Sequence, residues 1–388
     1  MGFIKQHIID EQESNISYRH IEDKYICSHH INDVAINDFI LKYSDTLRCS
    51  YCGKRRKVAL LKDVVNFINN GLGSFYEAPV NSMGYDSAEG GYLGTVYEID
   101  ELIEEVGLEI DDDNLQQDII NSFDNTPWCE IDPYADRESE YLRYNWDYFK
   151  NIIKHKSRYV FSQTDEFKRD YLGGNPFDIL HDVGRRVEKL NLFTWIKKDT
   201  LLYRCRQHKL SKEVKTPRDI TSPPLQYATL ANRMSPAGIS MFYCAFERDT
   251  AKKETIETAD TSKPYYTIGR FKNKADLFLL DLSIPLNIPS MFDEANRQNY
   301  YSIIFLKNFI IDLTREIKRD GYEHIDYIPT QVVTEYFRYT FCDLTQTKID
   351  GIIYPSVKNK TKKSCVLFLD SDESLKNLDF IGINTHLV

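Results

Sequence analysis

The alternation of apolar and polar positions changes character near Thr200. Between 58 and 190, apolar residues recur every three or four positions, the spacing of one helical face. That period predicts helices over 58–68, 99–106, 114–123, 138–153 and 176–190. The first ends near Asn69-Asn70-Gly71, and the last is opened by Asn175 and Pro176. The stretch 71–94, rich in Gly, Ser, Asn and Tyr, reads as a long loop and contains no G-x4-G-K-S/T phosphate cradle. Beyond Thr200 the apolar runs shorten to strand length: 201–206, 239–246, 265–271, 277–282, 349–356 and, as the last strand, 365–370. Helical spacing returns over 300–318 and 330–341, and 209–224 is a polar loop containing Pro217, Pro223 and Pro224. Strands and helices mix without a regular βαβ repeat. The expected class is α+β, with a helical N-terminal part and a mixed C-terminal part.

One stretch, 232–254, organises the second half. Arg233 to Gly238 carries Ser-Pro-Ala-Gly turn chemistry, 239–246 is the apolar run of a buried strand, and Asp249 or Thr250 can cap a short helix bearing Ala251 and Glu254. An arginine before a strand, a tyrosine within it (Tyr243) and a glutamate after it can converge on one pocket. On spacing alone, an exposed Arg233–Glu254 ion pair is the simpler reading.

Composition narrows the classes. The 388 residues are 42% hydrophobic and 28% charged, as in soluble globular proteins. A net charge of −10 does not suit a nucleic-acid-binding surface. The segment 1–13 is polar and no apolar run approaches the roughly 18 residues of a membrane helix, so a cytoplasmic location without membrane contact is expected. The acidic run Asp111-Asp112-Asp113 fits the solvated start of a helix. The Tyr and Trp stripe of 138–153 fits core packing. A ribonuclease motif, an Arg followed by His with four to six residues between, is missing from 58–200. The pair Arg319 and His324 has that spacing by chance.

Eight cysteines are too few for a disulfide framework. Three of them join a histidine in the pattern Cys27-x2-His30, then Cys49-x2-Cys52. Two close pairs can clamp one tetrahedral Zn2+, and Gly53 permits the tight turn after the last thiolate. His29 competes with His30, which is preferred because its spacing repeats that of the second pair. Four protein ligands make the site structural. The basic run 53–57 reads as a solvated turn beside it. Cys129, Cys205, Cys244, Cys342 and Cys365 read as small core residues.

The chemistry that suits Arg, Tyr and Glu around one pocket is cleavage of the bond between a ribose and a positively charged nicotinamide. The leaving group departs neutral, so no general acid is needed. A carboxylate stabilises the ribosyl cation, arginines grip the pyrophosphate, and an aromatic face holds the flat ring. Glu254, Arg204 with Arg233, and Tyr243 supply these groups; Arg206 competes with Arg204.

Leu202-Tyr203-Arg204, Asn232-Arg233 with Pro236-Ala237-Gly238, Phe242-Tyr243, Ala251-x-x-Glu254 and Gly351-Ile352-Ile353-Tyr354-Pro355-Ser356 together resemble the RES domain, a family named for its Arg, Glu and Ser. Arg233 (or Arg204), Glu254 and Ser356 stand at those places. The sequence Ile328-Pro329-Thr330-Gln331 through Glu335-Tyr336 resembles the family's longer members, whereas Met234–Gly238 departs from the family's Gly-rich, Trp-containing pattern. The N-terminal knuckle and helices resemble the HEPN/RES N-terminal domain. The resemblance implies an ADP-ribosyltransferase-like fold, with a zinc-knuckle segment at 1–57, a helical HEPN-like domain at 58–198 and a RES catalytic domain at 199–388. It implies NAD+ as substrate and a glycohydrolase or phosphorylase used as a bacterial toxin or defence effector, with an antitoxin or immunity partner. Protein ADP-ribosylation is the alternative activity, and a non-catalytic zinc and helical module that binds a partner or RNA is the alternative class. Carried over by the resemblance, Tyr203, Arg204 and Arg233 contact NAD+, Tyr243 packs on the nicotinamide end, Glu254 is the key carboxylate and Ser356 completes the pocket. Whether water, phosphate or protein accepts the ADP-ribose stays open, as does a homo-oligomeric state.

Overall fold

The computed structural model describes residues 23–43, 45–160, 178–256, 260–317, 321–359 and 361–388. Met1–Glu13, Asn175, Pro176 and Arg319 lie outside them. The chain forms two compact units: Met1–Glu138 with Asn287–Ile303, and Ser139–Leu286 with Ile304–Val388.

The first unit is mainly helical. Val34–Lys42, Leu61–Leu72, Ile99–Glu105 and Asp113–Ser122 are its helices. The Leu61–Leu72 helix buries Val64, Val65, Ile68 and Leu72, one face at helical spacing. The Asp113–Ser122 helix begins where the acidic run predicts, with the Asp112 carboxylate accepting from Asn114 N at 3.1 Å and Leu115 N at 3.0 Å. The stretch expected as a long loop after Gly71 contains three two-residue strands, at Tyr76–Glu77, Tyr85–Asp86 and Gly91–Tyr92. The distant segment 287–303 completes this core. Phe292 is 3% exposed within it and lies so close to the Leu61–Leu72 helix that a Cβ on Gly71 would fall 2.2 Å from its ring.

The second unit is built on an eight-stranded sheet. Its order is Leu378–Leu387, Tyr265–Asn273, Leu201–His208, Phe242–Ala245, Lys363–Leu367, Gly351–Pro355, Leu277–Asp281, Phe193–Ile196. Leu277–Asp281 and Gly351–Pro355 run parallel and the other neighbours are antiparallel, which confirms the mixed α+β expectation. Adjacent residues of the central strands enter different cores. Leu280, Ile352 and Val366 pack with the helices Glu138–His155, Asp178–Lys189, Tyr300–Thr314 and Ile328–Glu335. Leu279, Ile353, Cys365 and Leu367 pack on the other side with Leu202, Ile220, Phe242 and Phe271. A strand buried on both faces needs no polar alternation, which is why these segments read as continuous apolar runs. Asp312 ties two helices together, accepting from Trp146 Nε1 at 2.8 Å and Lys150 Nζ at 2.7 Å.

Several expected elements move. The strand expected over 239–246 is confined to Phe242–Ala245, and its helix starts at Arg248 with Glu247 at the cap position, so neither Asp249 nor Thr250 caps it. Buried Thr250 instead accepts from Asn359 Nδ2 at 2.8 Å. The 330–341 helix is interrupted by a π-helical stretch, Tyr336–Thr340. Phe193–Ile196 and Leu378–Leu387 are additional strands, and both lie at edges of the sheet. No helix among the described residues is long and apolar enough to cross a membrane.

Truncating Phe292 to Ala is expected to loosen the first unit by about 3–5 kcal/mol. Amide hydrogen exchange of the Leu61–Leu72 helix in the intact chain should then quicken. Unchanged exchange there would show that Phe292 does not support this core.

Candidate functional site

The site forms where the large sheet parts. Leu201–His208 pairs along its whole length with Tyr265–Asn273, but with Phe242–Ala245 it shares a single register pair, Tyr203 with Ala245. Continuing that register would oppose Cys205 and Tyr243. Instead, the Tyr243 carbonyl accepts from Arg204 Nη1 at 2.8 Å, and the Cys205 carbonyl accepts from Thr255 Oγ1 at 3.5 Å. Side chains thus satisfy backbone groups that a ladder would otherwise pair. Beside this opening lies a cavity of about 830 Å³, lined among others by Tyr203, Arg204, Arg233, Tyr243, Glu254 and Tyr354.

Each sequence-predicted residue has a defined setting. Burial lowers the Arg204 pKa to about 10, and its guanidinium carbon lies 5.4 Å from the Phe242 ring centre. Its Nε has no hydrogen-bond partner among the described residues. Arg206 points elsewhere, donating to the Asp219 carbonyl at 2.6 Å. Arg233 donates through Nη1 to the Leu313 carbonyl at 2.8 Å, in the last turn of the Tyr300–Thr314 helix, where a cation suits the dipole. Its guanidinium sits 5.9 Å from the Tyr327 ring centre.

The Arg233 loop is held from two sides. The Tyr243 hydroxyl accepts from Met234 N at 3.1 Å and meets Ser235 Oγ at 3.0 Å. Burial raises the Tyr243 pKa to about 12, so the phenol stays protonated at neutral pH. From the other side, buried Gln331 donates through Nε2 to the carbonyls of Asn232 at 2.8 Å and Ser235 at 3.3 Å. Tyr243 and Gln331 stand in motifs of the sequence, but their roles as anchors do not show there. Their partners are mostly backbone atoms, which carry no residue signature.

Glu254 and Ser356 meet across 102 positions. Ser356 Oγ donates to Glu254 Oε1, which also accepts from Lys358 N at 3.4 Å, while Ser356 Oγ itself accepts from Asn359 N at 3.0 Å. No ion pair joins Glu254 to Arg233 among the described residues; each has the partners just given. Ser356 therefore reaches the cavity through Glu254, which lines it.

In the first unit, Cys27, His30, Cys49 and Cys52 present one ligand atom each, all within 4.8 Å of one another. Cys27 Sγ and Cys52 Sγ are 3.8 Å apart, and Cys49 Sγ and His30 Nε2 are 3.5 Å apart. A tetrahedral ion with bonds of about 2.3 Å to sulfur and about 2.0–2.1 Å to nitrogen requires edges of about 3.8 Å and about 3.5 Å. The donor set therefore fits a metal ion, with His30 as the imidazole ligand. The second turn closes with Gly53 at φ +67° and its N–H bonded to the Cys49 carbonyl at 3.0 Å.

The mixed sheet and the cavity holding Arg204, Arg233 and Glu254 define an α+β protein with an arginine- and carboxylate-lined site. The family model described as RES domain matches residues 201–379, and that described as HEPN/RES N-terminal domain 1 matches residues 42–167. The chain belongs to the RES-domain family and carries the HEPN/RES N-terminal domain ahead of it. This membership supports an NAD-related, toxin-type function in general terms. A search of curated proteins returned no match.

The purified protein is expected to hold a divalent ion that is lost when Cys49 and Cys52 are both changed to Ser. Elemental analysis checks this; equal metal content in variant and wild type would remove the four residues as ligands.

Proposed function

We propose that the protein consumes NAD+ by cleaving its nicotinamide–ribose bond, as a glycohydrolase or phosphorylase, and serves as a bacterial toxin or defence effector. The observation that carries this reading is that Arg204, Arg233, Tyr243 and Glu254 line one cavity within a RES domain. In this reading, Glu254 is the carboxylate that holds the ribose 2′-OH and stabilises the developing ribosyl cation. Both its bonds fall on Oε1, which orients the carboxylate and leaves Oε2 to the substrate. Arg233, half-buried and fixed at a helix end, grips the pyrophosphate. Arg204 contributes a half-buried positive charge beside the same cavity, and Tyr203 adds a wall. Tyr243 both faces the nicotinamide end and locks the Arg233 loop. Ser356 acts by holding Glu254 in place.

The metal in the first unit is proposed to be Zn2+ in a structural role, since four protein ligands leave no open position for substrate. An NAD-consuming enzyme harms its own cell, so an antitoxin or immunity partner is part of the proposal. One observation favours protein ADP-ribosylation as a second reading. Tyr227 and Leu230 line the cavity while 71% and 77% exposed, an apolar rim against which a protein acceptor could rest.

Incubated with NAD+ with and without phosphate, the wild type should release nicotinamide. Glu254→Ala should lower that rate by at least about 100-fold while keeping its circular dichroism. A wild type that releases none under either condition, or a fully active Glu254→Ala protein, would refute this assignment. Label transferred to a protein band would move the reading to ADP-ribosylation.

A further inference from the structure

Four residues lie in one row across four neighbouring strands. Tyr203 opposes Ala245, Ala245 opposes Ser364, and Ser364 opposes Tyr354. Residues in register share a face of a sheet, and all four line the cavity. The two central side chains are small and the two outer ones are tyrosines, so the row forms a notch with a shallow floor between aromatic walls. Ser364 is 2% exposed, and its Oγ has no hydrogen-bond partner among the described residues. A buried hydroxyl without a partner destabilises a fold. Alanine or cysteine would fill the same place without that penalty, so the hydroxyl calls for a use outside the folded chain itself.

The surroundings indicate which part of a ligand it meets. The notch is bounded by the Ala245 methyl and the rings of Tyr203 and Tyr354, and Tyr354 is close enough to Glu254 and Arg233 to feel both charges. An aromatic recess beside the carboxylate suits the flat, uncharged product of the cleavage. The charged pyrophosphate belongs with the arginines. On a nicotinamide ring the single polar substituent is the carboxamide, which both donates and accepts, as a serine hydroxyl does.

We propose that Ser364 is a substrate-contacting residue whose hydroxyl holds the carboxamide of the nicotinamide end of NAD+. This rests on the NAD+ reading above and adds to it a recognition element for the leaving group.

The test compares wild type, Ser364→Ala and Ser364→Cys for the KM of NAD+, for product inhibition by nicotinamide and by ADP-ribose, and for thermal midpoint. Loss of one hydrogen bond is expected to raise the KM and the nicotinamide inhibition constant about 3- to 10-fold. ADP-ribose inhibition should stay at the wild-type value, and the midpoint should stay equal or rise. Ser364→Cys should follow Ser364→Ala, because it restores volume but not a strong hydrogen bond. If the wild type turns over NAD+ and Ser364→Ala shows wild-type nicotinamide inhibition, this inference alone is overturned. Parallel weakening of nicotinamide and ADP-ribose inhibition, or full rescue by Ser364→Cys, overturns it too, since the hydroxyl would then not be reading the carboxamide. A wild type that neither cleaves NAD+ nor binds nicotinamide in a calorimeter overturns the functional reading, and this inference with it.

Discussion

The bond from the Arg204 guanidinium to the Tyr243 carbonyl stands where a backbone N–H of the neighbouring strand would otherwise be. A sheet covered on both faces normally closes every ladder, because an unpaired backbone group away from water is costly, about 1–3 kcal/mol. Here a long side chain does the pairing at a distance. The strands separate after one register pair without orphaning the carbonyl, and space for a ligand opens inside the sheet. The same guanidinium is desolvated in the process, so one residue both spreads the strands and brings a positive charge to the opening.

The other groups of the cavity are held by hydroxyl and amide bonds that reach across long sequence intervals. Tyr243 and Gln331 fix the Arg233 loop, and Ser356 fixes Glu254. Each contact is short-ranged and directional, so the site geometry depends on how the Arg248–Thr255 and Ile328–Glu335 helices are seated. Ile328–Glu335 is seated in the core with Leu280 and Ile352, and Arg248–Thr255 by Ala251 against Cys205, Ala245, Tyr266 and Ile268. Positioning thus passes from apolar packing to neutral hydrogen bonds, and only then to the charged groups.

Much of this could be read in the chain. Continuous apolar runs such as Gly351–Pro355 announced buried strands, and the Asp111-Asp112-Asp113 run announced a helix start. The Cys27, His30, Cys49 and Cys52 spacing announced a clustered donor set. The two edge strands were illegible for a physical reason. Leu378–Leu387 fully buries only Leu378, and a register shift against Arg270 and Phe271 skips Ile381, so its apolar residues follow no regular alternation. Tyr203, Arg204, Arg233, Tyr243 and Glu254, singled out in the sequence, line one cavity, whereas Tyr354 and Gln331 stood in motifs without a place in it and Ser364 stood in none. Their places follow from strand register and loop anchoring, which a linear reading does not supply. The exposed ion pair that spacing alone favoured for Arg233 and Glu254 does not form, because a helix carbonyl and a serine hydroxyl take those groups instead.

The first unit is not contiguous in sequence: residues up to 138 wait for 287–303, and Phe292 in particular, to finish their core. During synthesis the ribosome must therefore make nearly 150 further residues, including several strands of the large sheet, before the N-terminal unit can close. A chain interrupted anywhere in that interval leaves the clustered Cys27, Cys49 and Cys52 on an incomplete body, and a cut at the change of texture near Thr200 separates that body from its last piece. Completion of the second unit's helices comes later still, so the two units mature as interleaved products of one translation run.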